Sequence, residues 1–250
     1  FLPLGMFSSN PFMGNVVTGI LIAILVAGVI FGGIKRIGLV AGRIVPIMVL
    51  IYLLGGLGIL IKNYDKLGSI FNLIITDAFT GNAVVGGIVG EVIRQGIRRA
   101  VFSNEAGLGT EVMAHGAAKT KEPVREGLVA MLGPFIDTIL VCSITAFAIL
   151  VSGVWNDPTL NGVSMTAKAF SNELGLLGEF ILFFSVFTFS VTTMFGQSYY
   201  GAKCTGFLFG SRWKVNYNWF YVLSTIFGAT VSISIVINLI DGMYAIMAIP

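Results

Sequence analysis

Charge is what this sequence has least of. Of its 250 residues 11% are Asp, Glu, Lys or Arg, where a soluble domain carries about 25%. Hydrophobic residues make up 56%, and the mean hydropathy is +0.91. That balance excludes a soluble globular domain and points to an integral membrane protein. One histidine, His115, leaves no zinc-type histidine pair, and the two cysteines, Cys142 and Cys204, have no metal-ligand spacing. Both lie in apolar surroundings and are read as packing residues. The net charge of +3 is spread over short loops, so nucleic acid is not implied. Strict alternation over segments of about 10 residues is also missing, which excludes a transmembrane barrel.

What is present is a series of long apolar runs, and a membrane helix needs about 20 such residues. The chain is therefore expected to be all-α, one transmembrane domain. Residues 1–12, with Pro3, Ser8, Ser9, Asn10 and Pro11, read as a connecting loop. Spans are expected over 13–33, 44–61, 82–118, 127–151, 177–201, 219–237 and, cut short, 241–250. Lys35, Arg36 and Arg43 fall between the first two spans, with Pro46 opening the second. Lys119, Lys121 and Arg125 follow the third, which Pro123 stops, and Lys203, Arg212 and Lys214 follow the fifth. All three groups fall on the same side of the alternation, which the positive-inside rule makes cytoplasmic. The segment from Lys62 to Gly81, with a short apolar piece Ile70–Ile75, then lies outside. So does the loop opened by Trp155–Pro158, with a short helix expected around Ser164–Phe170. Trp213, Tyr217, Trp219 and Tyr221 suit an interfacial aromatic belt. The chain begins at Phe1 and stops at Pro250 in a run that has barely begun, so it is expected to be a piece of a longer polypeptide.

One span does not suit lipid. Phe102-Ser103-Asn104-Glu105-Ala106-Gly107-Leu108-Gly109-Thr110 carries an acid, an amide, two hydroxyls and two glycines. Unsatisfied backbone in hydrocarbon costs several kcal/mol per group, so a non-helical segment at that depth must be buried in protein or line a cavity. The reading is a helix broken at 102–109 that holds a ligand at mid-membrane. Upstream, Glu91, Arg94, Arg98, Phe102 and Glu105 recur every three or four residues and form one helical stripe, which faces a cavity or a partner, or else lies in the interface. Gly86, Gly87 and Gly90 read as close helix packing. His115 is read as packed or cytoplasm-facing, with no acid at ligand spacing. Asp137 lies mid-span and is either functional or a hydrogen-bond partner of neighbouring helix ends. The span 177–201 is rich in hydroxyls. Most such groups bond back to their own helix, but the adjacent Thr192 and Thr193 beside Gly196 offer two oxygens to a hard monovalent cation. An intramembrane hydrolase would need a second acid in a matching span, and none is found.

Arg99-Ala-Val-Phe-Ser-Asn-Glu-Ala-Gly-Leu-Gly-Thr110, Ala114-His115, Lys119-Thr-Lys-Glu-Pro-Val-Arg-Glu-Gly-Leu128 and Gly133-Pro-Phe-Ile-Asp-Thr138 together resemble the alanine/glycine:cation symporter family. Gly32-Gly-Ile-Lys-Arg36, Ser198-Tyr-Tyr-Gly201 and Met247-Ala-Ile-Pro250 fit in the same order. The resemblance implies a five-plus-five inverted-repeat transporter fold, of which these spans would be helices four to ten. It also implies a multi-pass protein of a prokaryotic cell membrane that takes up alanine or glycine with sodium, needs no cofactor beyond that ion, and is not an enzyme. By the same resemblance Phe102, Ser103, Asn104, Glu105, Ala106, Gly107, Thr193 and Gln197 would meet the substrate. Thr192 and Thr193 would serve sodium, and Arg98, Arg99 and Asp137 are candidates for gating or for carrying a proton. Gln197 stands where the family usually has tryptophan, and Ala202 where it has glutamate, so the pocket wall at 197 is less bulky and more polar. The alternative is a transporter of the same fold carrying another solute or coupled to protons, with Glu105 or Asp137 as the proton carrier.

Overall fold

The computed structural model describes residues 11–79, Arg94, Gly96, Ile97, Ala100, 103–105 and 109–247. Among the described residues every regular element is helical. These are α1 (Pro11–Ile30), α2 (Gly33–Lys62), α3 (Tyr64–Phe79), α4 (Glu111–His115), α5 (Pro123–Ser152), α6 (Val163–Leu174), α7 (Leu176–Phe209), α8 (Trp213–Thr230) and α9 (Ile233–Met247). Four of them, α1, α2, α5 and α7, are long and apolar enough to cross a membrane. The chain is a multi-pass membrane protein. Exposed Leu, Ile and Phe along these helices, Leu54 and Phe180 among them, are what lipid-facing positions require.

The chain divides into two compact units. The first takes the sequence up to Ala41 and again from Val191. Here α1 packs along α8. Ala23, Val26 and Ile30 recur at three- and four-residue steps, so they share one face of α1, and they are buried with Ile37, Val191, Phe195 and Val222. The helices approach closely because the contact is small: a Cβ added at Gly19 would lie 2.9 Å from Ala229 Cβ. Small residues of this kind set helix contact in lipid. Tyr221 donates its hydroxyl to the Met194 carbonyl at 3.0 Å, and Phe31 packs on Trp219 with ring centroids 4.8 Å apart.

The junction of α1 and α2 departs from the expected cytoplasmic loop. Gly33 takes φ +68, a left-handed conformation that costs glycine little, and the chain enters α2 at once. Lys35, Arg36 and Arg43 are therefore helical, and Pro46 sits inside α2 rather than opening it. Nothing from Ile34 to Arg43 stops a helix, and Arg36 Nη1 reaches back to the Gly28 carbonyl at 2.8 Å, occupying one of the free acceptors at the end of α1. Similarly α7 runs past the expected end of its span to Phe209, so Lys203 is helical, and Gly210 with φ +91 ends it. The break that follows falls at Val231–Ser232, where Val231 is extended, rather than before Asp241-Gly242.

The second unit is Gly42–Ser190. Its core joins Tyr52 and Ile59 of α2, Ile70 of α3, Ala148 and Val151 of α5, Phe170 of α6, and Ile181 and Leu182 of α7. Tyr52 stacks on Phe170 at 5.4 Å and shares a 2.6 Å hydrogen bond with Thr145 Oγ1. The short helix expected near 164–170 is the longer α6, tied to the end of α2 by polar contacts. Asn63 Nδ2 donates to Glu173 Oε2 at 2.8 Å and to the Ile59 carbonyl at 3.1 Å, while Lys62 Nζ donates to the Glu173 carbonyl at 2.6 Å. Asn63 is 6% exposed, and its amide is satisfied on every side, as a buried polar group must be.

Candidate functional site

Within the second unit, the polar segment meets α5 at a place where α5 is not an α-helix. Ser103 and Asn104 are helical, Glu105 is not, and Gly109 and Thr110 form a bend. Glu105 has φ +55, the left-handed region that a side chain enters only at a cost. Its carboxylate is held within the same segment, where Thr110 Oγ1 donates to Glu105 Oε2 at 2.6 Å. Gly109, with φ +79, supplies the second left-handed turn. Glu105 and Gly109, two and six positions beyond helical Ser103, are thus both left-handed, a conformation no right-handed helix contains.

Opposite this segment α5 widens into a π-helix over Phe135–Cys142. Gly133 and Pro134 precede it, and Pro134 has no N–H to give the α ladder, so the regular turn is already weakened there. A π turn inserts a residue and re-aims the side chains it carries, and such turns recur at functional sites. Here it carries Asp137, Thr138 and Cys142. Ser103 Oγ donates to Asp137 Oδ2 at 2.6 Å and lies 3.7 Å from Cys142 Sγ, and Asn104 Nδ2 donates to Thr138 Oγ1 at 3.0 Å. Adjacent side chains of the broken segment thus engage adjacent side chains of the π turn. Asp137 thus accepts a hydrogen bond from a hydroxyl of the broken segment.

Downstream, α4 is tied to α5 by the single histidine. His115 Nδ1 lies 2.7 Å from Glu126 Oε1, and its Nε2 lies 3.4 Å from Glu111 Oε1. The expectation that no acid accompanies His115 is thereby corrected. Glu111 was readable at four residues' spacing, whereas Glu126 is brought in by the turn at 116–122, which no periodicity reveals. Pro123 begins α5, in the first-turn position where proline is tolerated, rather than closing the preceding span.

The remaining expected positions lie elsewhere. Thr192, Thr193 and Gln197 are on α7 in the first unit; Thr192 is half-buried, and Thr193 and Gln197 are exposed. Ser198, beside them, bonds back to the Phe195 carbonyl at 2.8 Å. Arg94 is exposed on a helical residue. Phe102, Ala106, Gly107, Arg98 and Arg99 lie outside the described residues, as do Glu91, Leu108, Gly86, Gly87 and Gly90. No group of three metal-ligating side chains occurs among the described residues.

The sequence profile of the sodium:alanine symporter family matches residues 5–250. The sodium/alanine symporter AgcS of Methanococcus maripaludis is 41% identical over 246 residues, covering 97% of this chain and 54% of that protein. An uncharacterised transporter of Haemophilus influenzae is 38% identical, covering 94% and 52%. The probable sodium/glutamine symporter GlnT of Bacillus subtilis is 34% identical, covering 96% and 51%. The chain spans about half the length of the curated relatives it matches.

Proposed function

The chain belongs to the sodium:alanine symporter family, secondary transporters rather than enzymes, and from that premise we propose that its protein couples inward sodium movement to uptake of a small neutral amino acid, alanine or glycine. The fold is a five-plus-five inverted repeat that works by alternating access, with the basic helix ends in the cytoplasm. One observation supports the reading: the chain leaves the helix at Glu105, and the two polar side chains just before it, Ser103 and Asn104, are fastened to a π turn. A broken helix leaves backbone donors and acceptors open at mid-membrane, and these suit the ammonium and carboxylate of an amino acid.

In this reading the substrate-binding residues are Ser103, Asn104, Glu105 and, next to them in sequence, Phe102, Ala106 and Gly107 in the second unit, and Thr193 and Gln197 in the first. The Thr192 and Thr193 hydroxyls give oxygen ligands to sodium. Asp137 holds the broken segment, and Arg98 or Arg99 closes the vestibule against an acid. Coupling is by differential binding, since a ligand shifts two states only by the difference in its affinity for them. Sodium favours the outward-open state, substrate completes it, and the loaded protein turns inward.

The experiment is uptake by the complete gene product in liposomes. Labelled alanine or glycine should accumulate under an inward sodium gradient and not under an equal potassium gradient. A relative named for glutamine, together with the polar Gln197, favours a second reading in which the solute is a larger amide-bearing amino acid. Competition of labelled alanine by glutamine at equal concentration distinguishes the two. A proton gradient that drives uptake without sodium would replace the coupling ion.

A further inference from the structure

The first unit contains a cavity of about 330 Å³ that the transport reading does not use. Its size is that of a small-ligand pocket, about 300–1,000 Å³. Its apolar lining is Ile30, Phe31, Ile34 and Ile37 at the α1–α2 junction, with Ile30 and Ile37 buried and Phe31 at the surface. The mouth is cationic and polar, formed by Lys203 of α7 and by Lys214 and Asn218 of α8. We infer that this cavity binds an anionic phospholipid, its headgroup between Lys203 and Lys214 and the upper part of one acyl chain against the isoleucine wall.

Charge complementarity carries the inference. Among the described residues no carboxylate lies within ion-pair distance of Lys203 or Lys214. The same unit gathers Lys35, Arg36, Lys203, Arg212 and Lys214, against one acid, Asp241, in α9. Both lysines are also placed. Lys203 Nζ sits 5.3 Å from the centre of the Tyr199 ring, a cation–aromatic contact that holds it at the rim. The stem of Lys214 lies against Gly206, where any side chain on 206 would collide with it. Trp219, packed on the cavity-lining Phe31, marks the level of the headgroups. An apolar wall under paired cations is the complement of an anionic amphiphile, whereas a soluble anion would use only the rim. Basic pockets between membrane helices on the cytoplasmic side meet the leaflet that carries anionic lipid. The inference rests on the membrane orientation proposed above, but not on the transported solute or the coupling ion.

The test uses the complete gene product in detergent, with phosphatidylglycerol or phosphatidylcholine added at equal concentration and bound lipid counted by native mass spectrometry. Phosphatidylglycerol should be retained over phosphatidylcholine. The double variant Lys203→Gln, Lys214→Gln should weaken its binding by about 30-fold, while Lys203→Arg, Lys214→Arg should keep it. Ala202→Glu, which adds a carboxylate to the lining, should weaken it as well. Equal retention of both lipids, an unchanged glutamine double variant, or displacement of the lipid by inorganic phosphate would overturn the proposal. So would a cavity filled by another part of the polypeptide, seen as no lipid retained by any variant. Because uptake is not the readout, a failure of sodium-driven transport and a failure of lipid binding are told apart.

Discussion

Removing the Asp137 carboxylate should detach the broken segment from its support. The Ser103–Asp137 hydrogen bond is short, 2.6 Å. Protein hydrogen bonds contribute about 0.5–1.5 kcal/mol, rising to about 1.5–3 kcal/mol where a partner carries charge, and the longer Asn104–Thr138 bond, at 3.0 Å, is of the neutral kind. Ser103 is exposed and Asp137 half-buried, so the low end of the range applies. Asp137→Asn keeps the shape and an acceptor oxygen, and the expected loss is about 1 kcal/mol, roughly fivefold in apparent alanine affinity. Asp137→Ala removes the acceptor, and about tenfold is expected. Those losses alone do not separate support of the segment from direct contact with substrate or ion. The assay is therefore a double-mutant cycle on alanine uptake by the complete gene product, with Asp137→Ala, Ser103→Ala and both. If Asp137 acts through Ser103, the double variant should lose no more than Asp137→Ala, leaving a coupling energy of about 1 kcal/mol. Additivity within about 0.5 kcal/mol would mean that Asp137 does not act through Ser103.

Three further outcomes follow from the packing and the polar contacts. Gly19→Leu forces a side chain into the 2.9 Å approach to Ala229, so the thermal midpoint of the purified protein should fall, with a destabilisation of about 1–3 kcal/mol; an unchanged midpoint would mean that α1 and α8 do not meet there. Tyr52→Phe deletes the hydroxyl bonded to Thr145 but keeps the stack on Phe170, and should cost about 1 kcal/mol in the same melt, clearly less than Tyr52→Ala. In the loop after α5, Thr159 donates both its hydroxyl and its backbone N–H to Asp157 Oδ1 and holds that carboxyl below its usual range. A lowered folded value means that the ionised form supports the turn. That support is present at neutral pH and is lost as pH falls through the folded value, below the ordinary carboxylate range near about 3.9. Amide exchange at Thr159 should accelerate in that acid window, and Asp157→Asn should remove most of the pH dependence.

What could be read in the sequence was set by hydropathy, which is local. α1, α2, α5 and α7 announce themselves as apolar runs because lipid selects each residue separately. Their ends were less legible. Gly33 and Gly210 stop helices through positive φ, yet Gly28, Gly38 and Gly58 pass through them without effect, and which glycine turns depends on what the chain does next. The basic residues 35–43 suggested a loop because charge marks the interface, but charge does not break a helix. At the candidate site, the polar run 102–110 stood out because it cannot face lipid. Its partners did not: Asp137 and Thr138, carried by the π turn at Phe135–Cys142, lie 34 positions along the sequence from Ser103 and Asn104. Glu126 reaches His115 only because a turn folds α5 back to it.

The measurement that bears most directly on function is labelled alanine uptake by the complete gene product in sealed liposomes, with either sodium or potassium outside at equal concentration. Accumulation above the outside concentration with sodium, collapsing when the sodium gradient is abolished, is the predicted result. Equal uptake with the two ions, or accumulation driven only by a proton gradient, would contradict sodium coupling at this broken helix.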